Sequence, residues 1–202
     1  MIQNTFSTSE TPKRAIIAIH GWTGDIESME PIARTLNLPE THWVIPQAPY
    51  EASGGGYSWF GGNEETGWQY QASFDLLSTI IHNLNNKGFS ANQIFMLSFS
   101  QGACLTMEFM IRQPFSLGGI IPIAGFIRYK KRVKQDATDA SHKTPILLLH
   151  GEKDKVILPD QSKISLEIFK DAGYQVDLQI LSAGHKIPLQ AKSIIKDFIL
   201  RV

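Results

Sequence analysis

The chain has 202 residues, 43% apolar and 19% charged, which excludes a disordered polymer and suits a single domain over residues 1–202. A domain of that size buries roughly 70% of its unfolded surface and needs no disulfide or metal staple. Zero formal net charge excludes a global field that gathers nucleic acid or an anionic membrane.

In chain order, residues 1–14 are polar and hold no apolar core of signal-peptide length, and no run of membrane-spanning length follows. With one cysteine, Cys104, and so no intramolecular disulfide, the protein reads as cytoplasmic, without stable membrane insertion. Residues 15–19 (AIIAI) form an unbroken apolar run stopped by His20 and Gly21. The stretch 28–38 then places Met29, Ile32, Ala33 and Leu36 at helical spacing. Residues 43–45 (WVI) run into the proline-bounded loop 46–49. Over 68–84, Phe74, Leu77, Ile80, Ile81 and Leu84 mark one helical face, with Lys87-Gly88 as the stop. Residues 94–97 (IFML) end at Ser98, and a helix over 101–112 carries Cys104, Leu105, Met107 and Phe109 before Pro114. Residues 119–124 (GIIPIA) end at Gly125, and 146–149 (ILLL) end at His150-Gly151. A helix over 160–172 stops at Gly173. Residues 175–181 alternate apolar with polar side chains, and a last helix runs from 189 to the C-terminus.

Continuous apolar runs are what strands look like when helices cover both faces of a parallel sheet, and the alternating last run fits an edge strand. Strand alternating with helix predicts an α/β fold: a doubly wound, mostly parallel sheet of about six or seven strands with helices on both faces. Pro122 counts against a central position for its run, because proline cannot donate to a ladder. In such sheets the site lies outside the carboxyl ends of the strands, where the chemically notable residues fall.

Ser98-Phe99-Ser100-Gln101-Gly102 sits between an apolar run and a helix, the place of a nucleophile elbow, where a sharp turn exposes the middle serine. Flanking residues must be small there. The usual first glycine is Ser98, a small enough change for the turn to survive. Read blandly, the segment is a strand–helix turn with serine near the N-cap.

A serine needs a base, and the base needs an orienting acid, in the chain order Ser, Asp, His. His142 lies in a lysine-rich polar stretch and His150 precedes the acid, whereas His185 follows the last strand by a short loop. Asp154 follows a buried strand directly and is the candidate acid, with Asp160 as a fallback better placed to cap a helix. Oxyanion donors are expected from the amide of Gln101, at a helix N-terminus, and from the amide of Trp22 in the turn HGWTGD (20–25).

The segments HGWTGD (20–25), PQAPY (46–50), SWFGG (58–62), FSQGA (99–103), HGEKDKVILP (150–159) and AGHKI (183–187) resemble, in this order, the carboxylesterase/phospholipase group of α/β-hydrolases that includes the acyl-protein thioesterases. The resemblance implies an α/β-hydrolase fold, Ser100 as nucleophile, Asp154 as acid, His185 as base, and oxyanion amides from Trp22 and Gln101. Ser98 and Gly61 depart from the group's pattern, Gly61 standing where many relatives carry aspartate.

The loop 50–65 holds Gly54-Gly55-Gly56, Tyr57, Trp59 and Phe60. Trp59 and Phe60 either contact the acyl chain or pin the loop to the domain. The basic residues of 128–134 overhang the site or, the favoured reading, form a solvated helix face. Cys104 is expected as a packed core thiol. There is no phosphate loop, zinc-ligand spacing or nucleic-acid motif, and the chain is too short for a large lid. The expected function is a cofactor-free serine hydrolase of short-chain acyl esters, monomeric or homodimeric. Acyl-protein thioesterase or lysophospholipase is the nearest alternative. A non-catalytic ligand-binding relative and a lyase on the same fold are the readings from other classes.

Overall fold

A computed structural model describes residues 2–201. A seven-stranded sheet forms from β1 (Gln3–Ser7), β2 (Arg14–Ile19), β3 (Thr41–Pro46), β8 (Ile94–Phe99), β9 (Gly119–Ile123), β10 (Ile146–Gly151) and β11 (Val176–Leu181), in the order β1-β3-β2-β8-β9-β10-β11. All pairs are parallel except β1 with β3. Two small hairpins, β4 (Tyr50–Glu51) with β5 (Tyr57–Ser58) and β6 (Gly61–Asn63) with β7 (Gly67–Gln69), occupy the loop expected over 50–65 and reach into the first residues of the helical stretch expected over 68–84. The helices are α1 (Glu30–Leu36), α2 (Gln71–Asn86), α3 (Gln101–Met110), α4 (Arg132–Asp136), α5 (Pro159–Asp171) and α6 (Ala191–Arg201). The last residue of the expected C-terminal helix, like residue 1 of the expected domain, lies outside the described residues.

The apolar runs are continuous because successive side chains enter two separate cores. Ile17, Ile19, Met96, Ile120 and Leu148 pack beneath α2, α3 and α5, around Leu77, Leu105 and Phe169. Their neighbours Ile16, Ala18, Phe95, Leu97, Ile121 and Leu149 pack on the opposite face with Met29 and with Leu36 of α1 and Ile195 of α6. Helices thus cover both faces, as the alternation of runs predicted.

Two details depart from expectation. β1 was not foreseen because only Phe6, stacked on Trp43, carries it into the core; its place is held by antiparallel ladder bonds to β3. Pro122 lies in a central strand. Pairing of β9 with β8 is continuous, Ser98 opposite Pro122, whereas pairing with β10 is confined to Ile120 and Ile123. The missing N–H is accommodated by that interrupted side.

Connections beyond the carboxyl ends hold only the hairpins, short turns and the five-residue α4 among the described residues. No helix there is long and apolar enough to cross a membrane.

Candidate active site

Ser100 joins β8 to α3 at φ 53°, ψ −116°, a conformation that non-glycine residues rarely adopt. Its N–H donates to the Ile123 carbonyl of β9 (2.8 Å), which anchors the turn. Gly102 is required by space: a Cβ there would sit 2.4 Å from the His20 carbonyl oxygen. Position 98 has no such demand, since Ser98 fits fully buried, and its Oγ has no hydrogen-bond partner. The elbow therefore survives the departure from glycine.

Asp154 follows β10 and is 3% exposed. Oδ1 accepts the N–H groups of Val156 (2.8 Å) and Ile157 (3.0 Å), and Oδ2 accepts from Nδ1 of His185 (2.7 Å). Burial pushes this carboxyl up, but the hydrogen bonds from His185, Ile157 and Val156 outweigh it and hold it below the usual aspartate value. Gly151 lets the two loops meet, because a Cβ on it would lie 2.4 Å from the carbonyls of Ala183 and Gly184, just before His185.

Nε2 of His185 stands 3.0 Å from Ser100 Oγ. An ionised carboxylate only accepts, so the ring proton belongs on Nδ1 and Nε2 is free to accept the serine hydroxyl. Phe99 packs against the ring at 4.9 Å between centroids.

The turn after β2 runs alongside, with a Cβ built on Gly21 falling 3.4 Å from that of Ser100. Among the described residues, the backbone N–H groups of Trp22 and Gln101 have no intramolecular acceptor. Trp22 is 54% exposed. It lines an open cleft of about 470 Å3 with Met29, Ile32, Phe99, His185 and Ile187. A larger groove, about 1080 Å3, lies at the opposite, amino end of the strands around Leu117, Pro145 and Phe198; it contains no histidine or cysteine.

Trp59 does not line the cleft. It has no exposed surface, and its indole Nε1–H donates to the His20 carbonyl (2.8 Å). Phe60 is 5% exposed and meets Trp68 and Tyr70 edge-on. Both side chains pin the loop, so direct contact with an acyl chain is corrected to a packing role. In the basic segment, Arg128 lies over the Trp68 ring and Arg132 donates to the Tyr70 hydroxyl (3.0 Å), while Lys130, Lys131 and Lys134 are solvated. Cys104 is buried, and burial pushes its thiol up to about 11.

Sequence reasoning passed over two buried histidines. His20 donates through Nδ1 to the Gly21 carbonyl (2.6 Å) and accepts at Nε2 from the Ala48 N–H (3.1 Å), which fixes one neutral tautomer. His150 places Nε2 2.8 Å from the Ile157 carbonyl and 3.3 Å from Asp154 Oδ2. Their only signal was the pairing of each with a glycine at the end of a strand.

A mostly parallel sheet wound on both faces, with an elbow serine, an acid and a histidine beyond the carboxyl ends of β8, β10 and β11, defines the α/β-hydrolase fold. The superposition agrees: esterase PE8 matches with a TM-score of 0.88 at 24% identity, over 98% of this chain and 97% of that one. Acyl-protein thioesterase 1 of Debaryomyces hansenii is 27% identical over 191 residues, spanning 84% of this chain and 82% of its own. Carboxylesterase SOBER1 of Arabidopsis thaliana is 26% identical over 203 residues, spanning 92% and 89%. The phospholipase/carboxylesterase family profile matches residues 2–202, and the chain belongs to that family.

Proposed function

We propose that this protein is a serine hydrolase that cleaves carboxylic esters of short acyl chains through an acyl-enzyme intermediate. The observation that carries the reading is the unbroken relay from Ser100 Oγ to His185 Nε2 (3.0 Å) and from His185 Nδ1 to Asp154 Oδ2 (2.7 Å). In this reading His185 takes the Ser100 proton as Oγ attacks the ester carbonyl. The Trp22 and Gln101 amides receive the oxyanion. His185 then returns the proton to the departing alcohol or thiol. A water, deprotonated by the same imidazole, releases the acid and restores Ser100.

The open apolar cleft beside His185 supports small acyl esters, and the named relatives support thioesters as the second reading. The two-core sheet supports treating residues 1–202 as one domain. The test is turnover of p-nitrophenyl esters from acetate to palmitate by the wild type and Ser100→Ala, with mass detection of the acylated serine. Loss of turnover and of the acyl adduct in the variant is the expected result. A wild type inert toward both this series and a matching thioester series overturns the reading.

A further inference from the structure

The two amides assigned to the oxyanion come from separate parts of the chain, one from the turn after β2 and one from the first residue of α3. Nothing covalent sets their spacing. Trp59 spends all of its polar groups on the surrounding framework. Its backbone N–H donates to Gln101 Oε1 (2.8 Å), its indole N–H donates to the His20 carbonyl (2.8 Å), and its own carbonyl accepts from Ser73 Oγ (2.7 Å).

Each end of this link is itself held. Gln101 Nε2 donates to Ser58 Oγ (2.9 Å), whose hydroxyl donates to the Phe60 carbonyl (2.7 Å). The His20 ring packs on the Trp59 indole at 5.0 Å and grips the oxyanion turn through the Gly21 carbonyl. The His20 carbonyl that receives the indole proton also faces the space kept open by Gly102 in the first turn of α3. Indole, turn and helix therefore meet at one oxygen atom.

We propose that Trp59, with the Gln101 side chain, is a positioning clasp that sets the separation of the Trp22 and Gln101 amides. The inference rests on the hydrolase reading above. Trp59 reaches no substrate. It acts through the two donors, which stabilise charge only if both lie about 2.7–3.1 Å from the forming oxyanion.

Trp59→Phe keeps most of the ring volume and removes the indole donor. Gln101→Met keeps the side-chain length and removes the other tie, at a half-buried position. Each is expected to lower kcat roughly 10- to 100-fold, the scale of a misplaced reacting group, with a smaller change in KM. The affinity of a trifluoromethyl ketone, whose adduct with Ser100 bears the oxyanion, is expected to fall in parallel with kcat/KM. The double variant is expected to lose less than the product of the two, because both release one link.

Variants that melt earlier yet keep wild-type kcat and ketone affinity overturn the clasp and leave Trp59 an ordinary core residue. A wild type that neither turns over esters nor binds the ketone overturns the hydrolase reading, and the clasp with it. If Trp59→Phe fails to fold, unaltered kcat and ketone affinity in Gln101→Met alone suffice to overturn the clasp.

Discussion

Replacing Asp154 by asparagine retains the shape of the acid and reverses the position of one proton. Because Oδ1 accepts the N–H groups of Val156 and Ile157, the amide oxygen of Asn must take that place, and its NH2 must face His185 Nδ1. Nδ1 then has to accept, so the ring proton moves to Nε2. An Nε2–H aimed at Ser100 Oγ, 3.0 Å away, has no lone pair left for the serine proton. The same NH2 confronts His150 Nε2, which also points toward the Ile157 carbonyl, so no rotation of the amide satisfies every neighbour. An equivalent tautomer reversal in a serine hydrolase costs about 10⁴ in kcat. At 1.36 kcal/mol per decade this is about 5.4 kcal/mol of lost transition-state stabilisation. The fold should hold, since both backbone bonds to the side chain persist. The assay is steady-state turnover of p-nitrophenyl acetate by Asp154→Asn at fixed, mildly alkaline pH, with thermal melting measured on the same preparation. A folded variant retaining about a tenth or more of wild-type kcat, a loss of only ~1.4 kcal/mol, would refute the tautomer argument.

Three further outcomes follow from the same geometry. Gly102→Ala drives a methyl to 2.4 Å from the His20 carbonyl, so the first turn of α3 must move; stability should fall by about 1–3 kcal/mol, and kcat should fall with it. A variant with unchanged melting and kcat would show that the contact is slack. Ser98→Ala removes a buried hydroxyl that has no partner, and is expected to stabilise the fold by about 1 kcal/mol, or roughly 2–4 °C in melting temperature. A lower melting temperature would mean that the hydroxyl is satisfied in solution. Burial holds the His20 imidazole below the ordinary histidine value, against the pull of the Gly21 carbonyl and Asp25. The unfolded chain therefore takes up the proton first, so this stabilisation is complete above about pH 6.5 and is lost as pH falls toward the folded value. Asp154, also depressed, adds loss only below about pH 3.9. His42 is depressed too, by burial and then by Lys87, so the comparison is with His20→Asn, whose melting temperature should fall less steeply than wild type between about pH 6.5 and 5. Parallel melting profiles for the two proteins would count against His20.

Much of the architecture was legible because a doubly covered sheet writes itself as unbroken apolar runs. All six runs became strands, and Ser100, Asp154 and His185 stand at the carboxyl ends of β8, β10 and β11 in the expected order. β1 escaped because an edge strand paired on one side needs only backbone bonds, and its side chains alternate between half-buried and exposed. The hairpins of 50–69 escaped for a similar reason: they are two- and three-residue ladders in a glycine-rich stretch, too short for any period.

Residue type, order and strand-end placement are properties of the linear chain, and they determined the fold class and singled out Ser100, Asp154 and His185 as the candidates for nucleophile, acid and base. Distance, tautomer and exposure are not linear properties. Trp59 reads equally well as a substrate contact or a core anchor until the sheet order brings His20 and Gln101 to either side of it. His20 and His150 look like spare histidines until the fold brings the Ala48 N–H to Nε2 of the one, which makes it a neutral acceptor, and sets the other against Asp154. Only tertiary packing decides such matters, because a side chain's solvent and hydrogen-bond partners come from segments far away in the chain.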